Sequence, residues 1–503
     1  MTNKVSIRRL KTGVPGLDNL LGGGLPEFSF NLIAGTPGSG KTTLAHQIMF
    51  SLASPTSRAL YFTVLGEPAL KMLRYQQQFS FFQVGQVNQS IRFVNLSEDL
   101  LDGSFERVMA RISNEVRDYA PGLVFVDSFR SVVQSAGQNS QGTAELQRFV
   151  HGLGVQMTSW KATSFLIGEY LLPESESSPV FATADGILWL SQNMQRNSMV
   201  RKIQVVKMRG QAQAPGLHTF RLSDEGIRIF PRAIVKQSVG PGSSTRAAPG
   251  PTRLSMGIPS LDDMLGGGLP IGYSLLVVGP SGSGKTILAT EFLAEGARRG
   301  EPGVMAAFEK SPSQLLGNVK LQTMVQAGQV GVIDTRSLDL SIDETLSDLI
   351  VMINRLQAKR VVIDSLSGFA LAIAPEFSED FRSSLYRMIA ELTSMGVTIL
   401  MTSELEDRYT DLRFSPFGSA FLADAIVVQR YVELDGQFKR ALSVVKVRGS
   451  AHSKLIRLFD ISDSGITLGE PLTGYTGVTT GSPTKVDSQT DVKTERQHNE
   501  QQP

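Results

Sequence analysis

The chain is written twice, and that constrains its fold more than any other feature. Gly22-Gly23-Gly24-Leu25-Pro26 returns as Gly266-Gly267-Gly268-Leu269-Pro270, and Leu17-Asp18 returns as Leu261-Asp262, both displaced by 244 residues. Phe125-Val126-Asp127-Ser128 pairs with Val362-Ile363-Asp364-Ser365, and Lys207-Met208-Arg209-Gly210 with Lys446-Val447-Arg448-Gly449, at displacements of 237 and 239. Solenoid units repeat every 20–50 residues or so, so a period this long is a duplicated domain. A chain of 503 residues, 41% hydrophobic and 19% charged, has the length and composition for two such globular domains.

The boundaries follow from composition. Residues 1–236 read as the first domain and residues 237–252 as a linker, because the Gly, Pro and Ser of Val239 to Pro251 break both helical and strand periodicity. Residues 253–472 read as the second domain and 473–503, polar to the end, as a flexible tail. Apolar strands at Phe30–Ala34, Ala59–Val64, Leu123–Val126 and Ser164–Ile167 alternate with helix-length segments such as Phe105–Tyr119 and Ala144–Trp160. Leu275–Val278, Val304–Phe308, Arg360–Ile363 and Thr398–Met401 repeat the order. This alternation predicts an α/β fold, a mostly parallel sheet flanked by helices in each copy. Ala425–Val432 and Arg440–Val447 around Asp435-Gly436 predict a closing hairpin.

Composition also excludes chemistry. Without cysteine there is no thiolate nucleophile, disulfide or iron–sulfur site. A net charge of +2 is too small for a broad nucleic-acid-binding field, so no nucleic acid is expected. No apolar run nears the roughly 20 residues of a membrane span, and no signal-peptide segment follows Met1–Leu10, so a cytoplasmic chain without a membrane partner is expected.

Gly35-Thr36-Pro37-Gly38-Ser39-Gly40-Lys41-Thr42 and Gly279-Pro280-Ser281-Gly282-Ser283-Gly284-Lys285-Thr286 each satisfy Gly-x4-Gly-Lys-[Ser/Thr] after a predicted strand and before a predicted helix. That is a phosphate-binding P-loop. Its glycines turn backbone N–H groups inward, and the helix N-terminus favours an anion. Lys41 and Lys285 reach β- and γ-phosphates, Thr42 and Thr286 offer a hydroxyl to Mg2+, and the binding segments run on to Thr43 and Ile287. Asp127 and Asp364, each ending an apolar strand about 80 residues later, read as the carboxylates that orient the hydrated metal. An isolated Asp after a strand is ordinarily a turn or cap residue; its matched recurrence favours the metal role.

Hydrolysis requires a further carboxylate beside the attacking water. Glu309, at the C-terminal end of strand Val304–Phe308, is the preferred base and a metal-site residue. In the first copy Glu67 arrives two positions later, after Leu65-Gly66, so its direction differs and the halves are expected to be unequal. Lys207-Met208-Arg209 and Lys446-Val447-Arg448 carry cations at alternate positions; their recurrence favours γ-phosphate contacts across a subunit boundary over edge protection. His46, His151, His218, His452 and His498 lack metal-ligand spacing, and Phe79, Phe81 and Phe82 read as core or interface.

Together, the tandem P-loop domains, the Gly-Gly-Gly-Leu-Pro lead-in, Ile363-Asp364-Ser365, the paired Lys-x-Arg-Gly sequences and the tail segment Gly481-Ser482-Pro483-Thr484 resemble the KaiC family of circadian-clock ATPases, over about Thr12 to Gly465. The resemblance implies two RecA-like domains in a double-ring homohexamer with ATP and Mg2+ at subunit interfaces. It further implies slow hydrolysis in the first ring, autokinase chemistry in the second, and KaiA- and KaiB-like partners. By the same resemblance a neighbouring subunit contributes Lys207, Arg209 and Asp224 to the first site, and Lys446, Arg448, His452 and Lys454 to the second. The family's adjacent glutamates correspond to Leu65-Gly66 and Glu309-Lys310, and its Ser-Thr phosphoacceptors to Ala420-Phe421, with Ser419 the nearest substitute. Two alternatives stand beside this: an ATP-dependent assembly switch with little hydrolysis, and a DNA-translocating recombinase or helicase. The second is disfavoured by the absence of Lys and Arg from Ser131 to Gly142.

Overall fold

The computed structural model describes residues 7–63, 69–100, 105–127, 140–170, 179–195, 198–232, 252–308, 314, 317–334, 340–405, 422–462, 465–478 and 484–485. The chain divides into two units, Met1–Arg232 and Ala233–Pro503.

In the first unit, strands β1 (Phe30–Gly35), β2 (Ala59–Thr63), β3 (Ile91–Asn95), β4 (Leu123–Asp127), β5 (Thr163–Glu169), β6 (Gly186–Gln195), β7 (Ser198–Met208), β8 (His218–Ser223) and β9 (Gly226–Phe230) form one sheet. Their order is β9-β8-β7-β6-β1-β5-β4-β2-β3. β6, β1, β5, β4, β2 and β3 pair in parallel, and β6 to β9 continue as antiparallel hairpins. β1, β2 and β4 are buried along their whole length, as strands covered on both faces must be. Helix α1 (Lys41–Leu52) packs on one face with Tyr61, Phe125, Phe165 and Ile167; α2 (Phe105–Tyr119) and α3 (Ser140–Ser159) cover the other with Leu60, Phe62, Val124 and Leu166.

The second unit repeats this. Strands β10 (Ser274–Gly279), β11 (Gly303–Ala307), β12 (Val330–Asp334), β13 (Arg360–Asp364), β14 (Thr398–Glu404), β15 (Ala425–Leu434), β16 (Gln437–Val447), β17 (Ile456–Ser462) and β18 (Gly465–Pro471) run β12-β11-β13-β14-β10-β15-β16-β17-β18. This is the same order read from the opposite edge. Helix α4 (Lys285–Arg298) packs on the face that carries Met305, Val362 and Leu400, and α5 (Ile342–Leu356) and α6 (Phe381–Ser394) pack on the other. The doubly covered parallel sheets have the expected α/β architecture. Asp435 and Gly436, at φ 51 and 70, make the expected tight turn between β15 and β16, both central residues being left-handed as a type I′ turn requires.

Some repeated residues prove to be scaffold. The Asp18 carboxylate accepts from Thr12 N and Oγ1 at 3.0 and 2.8 Å, and Asp262 accepts from Met256 N and Ser255 Oγ at 2.7 and 2.5 Å. They pin the strand entering each Gly-Gly-Gly turn. Phe81 and Phe82 pack against the first core, as expected. Beyond Pro471 there is more order than the polar composition of 473–503 predicts: Tyr475–Thr476 pairs with Thr484–Lys485, and Val478 is buried with Val432, Leu434 and Ala441. The few apolar side chains there suffice to fold the segment back. No described helix is long and apolar enough to cross a membrane.

Candidate functional site

Each P-loop follows the central strand of its sheet. Gly40 and Gly284, at φ 98 and 102, cap α1 and α4, a left-handed conformation that glycine adopts without strain. A Cβ on Gly35 would lie 1.8 Å from Leu190 O and one on Gly284 2.5 Å from Ile461 Cδ1. The loop is therefore pressed against the adjoining strands. Gln192 Nε2 donates to Pro37 O at 3.0 Å, and Ser283 Oγ bonds Gln429 Oε1 at 3.1 Å. Behind the helix, Gln47 holds Ile227 of β9 by paired bonds of 2.7 and 3.2 Å.

Lys41 Nζ donates to Thr36 O at 2.8 Å, and Lys285 Nζ to Gly279 O and Pro280 O, each at 2.8 Å. Each lysine thus folds back onto the carbonyls of its own loop. Thr42 Oγ1 donates to Asp127 Oδ2 at 2.8 Å, and Thr286 Oγ1 to Asp364 Oδ2 at 2.8 Å. Two parts of the sequence 85 and 78 residues apart meet through the same atoms in both units. Parallel register sets Asp127 beside Thr63, and Asp364 beside Ala307, at the C-terminal edge of the sheet, where open α/β sheets bind ligands.

The hydroxyl, carboxylate and P-loop backbone of each site fit Mg·ATP by donor chemistry, since Mg2+ keeps several waters and few protein ligands. Among the described residues Thr36 Oγ1 and Ser39 Oγ are buried without a hydrogen-bond partner, polar capacity that a phosphate-bearing ligand fits. Among the described residues no cluster of three or more His, Asp or Glu could cage a metal alone.

Burial raises the Asp127 pKa above the ordinary carboxylate value; hydrogen bonds from Tyr61 and Thr42 and the charge of Lys41 oppose the shift, while Glu169 adds to it. Glu169 and its counterpart Glu404 escaped the sequence reading. Each lies in register with the first P-loop glycine, Gly35 or Gly279. The next residue then donates its N–H to that glycine's carbonyl, Tyr170 at 3.3 Å and Leu405 at 3.1 Å.

The Lys-x-Arg pairs are placed by β-bulges. β7 shifts register between the Leu188–Val205 and Ile187–Lys207 pairs, and β16 shifts at the equivalent step beside Ile426/Val427. The extra residue, Val206 or Val445, resets the alternation so that Met208 and Val447 point into the core and the cations do not. Within the chain, Lys207 Nζ donates to Phe181 O and Ala182 O at 3.3 and 3.0 Å, and Arg209 bonds Ala182 O and the Asp185 carboxylate. Lys446 Nζ donates to Ala423 O at 2.8 Å, and Arg448 pairs with Asp424 at 3.4 Å. Desolvation first, then the neighbouring arginine, lowers both lysine pKa values.

Asp224 sits at the β8–β9 turn, its carbonyl accepting from Ser80 N at 2.9 Å. His452 and Lys454 follow β16 on the surface. Thr43 and Ile287 lie in the first turns of α1 and α4. Ser365, next to Asp364, is a helix cap, accepting from Gly368 N at 3.0 Å. Glu67, Glu309 and Ser419 lie outside the described residues, as do Leu65-Gly66 and Ala420-Phe421.

Comparison with known proteins agrees with this geometry. The family described as "ATPase: KaiC" matches residues 10–234 and 254–473, one match per unit. The circadian clock oscillator protein KaiC of Rippkaea orientalis is 26% identical over 492 residues, 95% of this chain and 92% of that protein. The circadian clock oscillator protein KaiC 1 of Synechocystis sp. is 27% identical over 493 residues, again 95% and 92%. KaiC of Synechococcus elongatus is 26% identical over 493 residues, 96% and 93%. With a family match over each P-loop unit, the chain belongs to the KaiC family of clock-type ATPases.

Proposed function

We propose that both units bind Mg·ATP and that the chain works as a hexameric ATPase ring, its second unit carrying the stronger hydrolytic site. The observation that supports this reading is the matched Thr Oγ1 to Asp Oδ2 bond of 2.8 Å under each P-loop. In it, Lys41 and Lys285 turn from loop carbonyls to the β- and γ-phosphates. Thr42 and Thr286 would hold the metal, and Asp127 and Asp364 would accept from its hydration water. Mg2+, when bound, neutralises charge developing on the phosphates.

Glu309 takes the role of water-orienting base in the second unit, and Glu67 is its offset counterpart in the first. Lys207, Arg209 and Asp224, and Lys446, Arg448, His452 and Lys454, complete the sites of a neighbouring copy; the Lys-x-Arg pairs exchange their internal carbonyl contacts for phosphate. Domains at 1–236 and 253–472, joined by 237–252, a cytoplasmic setting, and KaiA- or KaiB-like partners belong to the same reading. Ser419 is the one hydroxyl proposed for autophosphorylation.

Phosphate release by the wild type, Glu309→Gln and Asp364→Asn tests it. Both variants should lose most turnover, roughly a hundredfold for a general base, while Glu309→Gln retains nucleotide. Unchanged release from Glu309→Gln removes that residue as base. Intact mass after incubation with Mg·ATP decides the kinase component. Replacement of the glutamate pair by Leu65-Gly66 favours a second reading for the first unit alone, an ATP-held assembly switch.

A further inference from the structure

The two metal-facing carboxylates are held from opposite sides. In the first unit Tyr61 OH donates to Asp127 Oδ2 at 2.7 Å, the same oxygen that accepts from Thr42. In the second unit Met305 occupies the place of Tyr61 in the register beside β13, and Thr402 Oγ1 of β14 donates instead to Asp364 Oδ1. Tyr61 comes from β2, on one flank of β4; Thr402 comes from β14, on the other flank of β13.

The tyrosine is fixed by its surroundings. Its ring lies 4.6 Å from His46, 5.4 Å from Phe93 and 5.8 Å from Phe125, centroid to centroid, and is fully buried. His46 stands on α1 four residues after Thr42, so one helix carries both the metal hydroxyl and the ring that packs against Tyr61. The second unit has Thr290 at the corresponding helical position, its hydroxyl spent on Thr286 O at 2.9 Å, and Val332 and Val362 in place of the two phenylalanines.

We propose that Tyr61 is a positioning residue of the first site: its hydroxyl fixes the Asp127 carboxylate so that Oδ1 faces the hydrated divalent cation, whereas in the second site Thr402 fixes the Asp364 carboxylate through its other oxygen. A carboxylate with both donors on Oδ2 has its orientation set, and Oδ1 is left for the water of the cation. Without the phenol, the one donor left to the side chain among the described residues is Thr42, which must itself turn to the metal.

This rests on the nucleotide-site reading above, and the experiment separates the two. In the full-length Lys285→Ala chain, so that the first pocket alone retains nucleotide, binding of a fluorescent ATP analogue is titrated against MgCl2 and repeated in EDTA. Adding Tyr61→Phe should raise the Mg2+ midpoint roughly three- to tenfold, the scale of one lost hydrogen bond, and leave the affinity in EDTA unchanged. In the full-length Lys41→Ala chain Tyr61→Phe should move nothing, whereas Thr402→Val should raise the midpoint of the second pocket. An unmoved or lowered midpoint in Tyr61→Phe overturns the proposal, as does an equal loss with and without Mg2+, which marks a packing role. If the Lys285→Ala parent itself shows no Mg2+-dependent retention, the nucleotide-site reading falls, and the proposal with it.

Discussion

His46 is fully buried on α1, and among the described residues neither ring nitrogen has a partner at ordinary hydrogen-bond geometry. Burial lowers its pKa to about 4, against an opposing contribution from the Gln76 side chain. An unfolded histidine titrates near 6.5, so between about pH 6.5 and 4 the unfolded chain binds a proton that the folded one refuses. The folded-state pKa is depressed, so stability from this residue is intact above pH 6.5 and declines as pH falls towards about 4. The full effect is about 3 kcal/mol, and at pH 5 linkage gives about 2 kcal/mol.

His46→Leu removes the titration while conserving apolar volume. It should lie within about 1.5 kcal/mol of wild type at pH 7.5, and gain about 2 kcal/mol relative to it on going to pH 5. Both tryptophans, Trp160 and Trp189, fall in the first unit, so urea unfolding followed by tryptophan fluorescence reports that unit alone. Effects of Asp127 titration are common to both proteins and cancel in the difference. A gap that stays constant between pH 7.5 and 5 would refute the argument, because it would mean the ring takes up its proton inside the fold.

Lys41→Ala and Lys285→Ala should each abolish retention at one of two nucleotide sites per chain, read as bound nucleotide after gel filtration. Gly284→Ala meets Ile461 Cδ1 at 2.5 Å at a φ of 102, and should eliminate the second site; Gly300→Ala, at φ 71 with nothing within 4 Å, should cost only about 1–2 kcal/mol of stability in calorimetry. Arg360 is fully buried, bonded to Glu301 Oε2 at 2.6 and 2.9 Å and to the carbonyls of Ser255 and Phe292. Arg360→Ala should lower the second unit's stability by about 3–5 kcal/mol by stranding these partners, measured as the shift of its calorimetric transition.

Periodicity and repetition made the architecture readable. Short apolar runs between amphipathic segments such as Phe105–Tyr119 leave few alternatives to a covered parallel sheet, and the helix occupies those residues. The P-loops were readable because glycine spacing is itself the geometry. Residues that act through tertiary register were not. Tyr61 and Thr402 reach the carboxylates from neighbouring strands, and a strand sequence does not say which strand lies beside it. Glu169 and Glu404 ended strands without a motif around them. The only local sign of the bulges was a pair of adjacent valines, Val205-Val206 and Val444-Val445, ahead of each lysine.

Those valines have a consequence for any attempt to edit the protein. Deleting Val206 would let β6 and β7 pair without interruption and would leave the existing partners in place, Lys207 opposite Ile187 and Met208 opposite Gly186. The opposite edit is the damaging one: flattening the ladder with Val206 retained would set Val206 opposite Ile187, turn Lys207 into the apolar interior and push Met208 out to water. The same holds for Val445 and Lys446. Each strand can therefore lose its extra valine and keep its cations facing outward, whereas absorbing that valine into the pairing would reverse them.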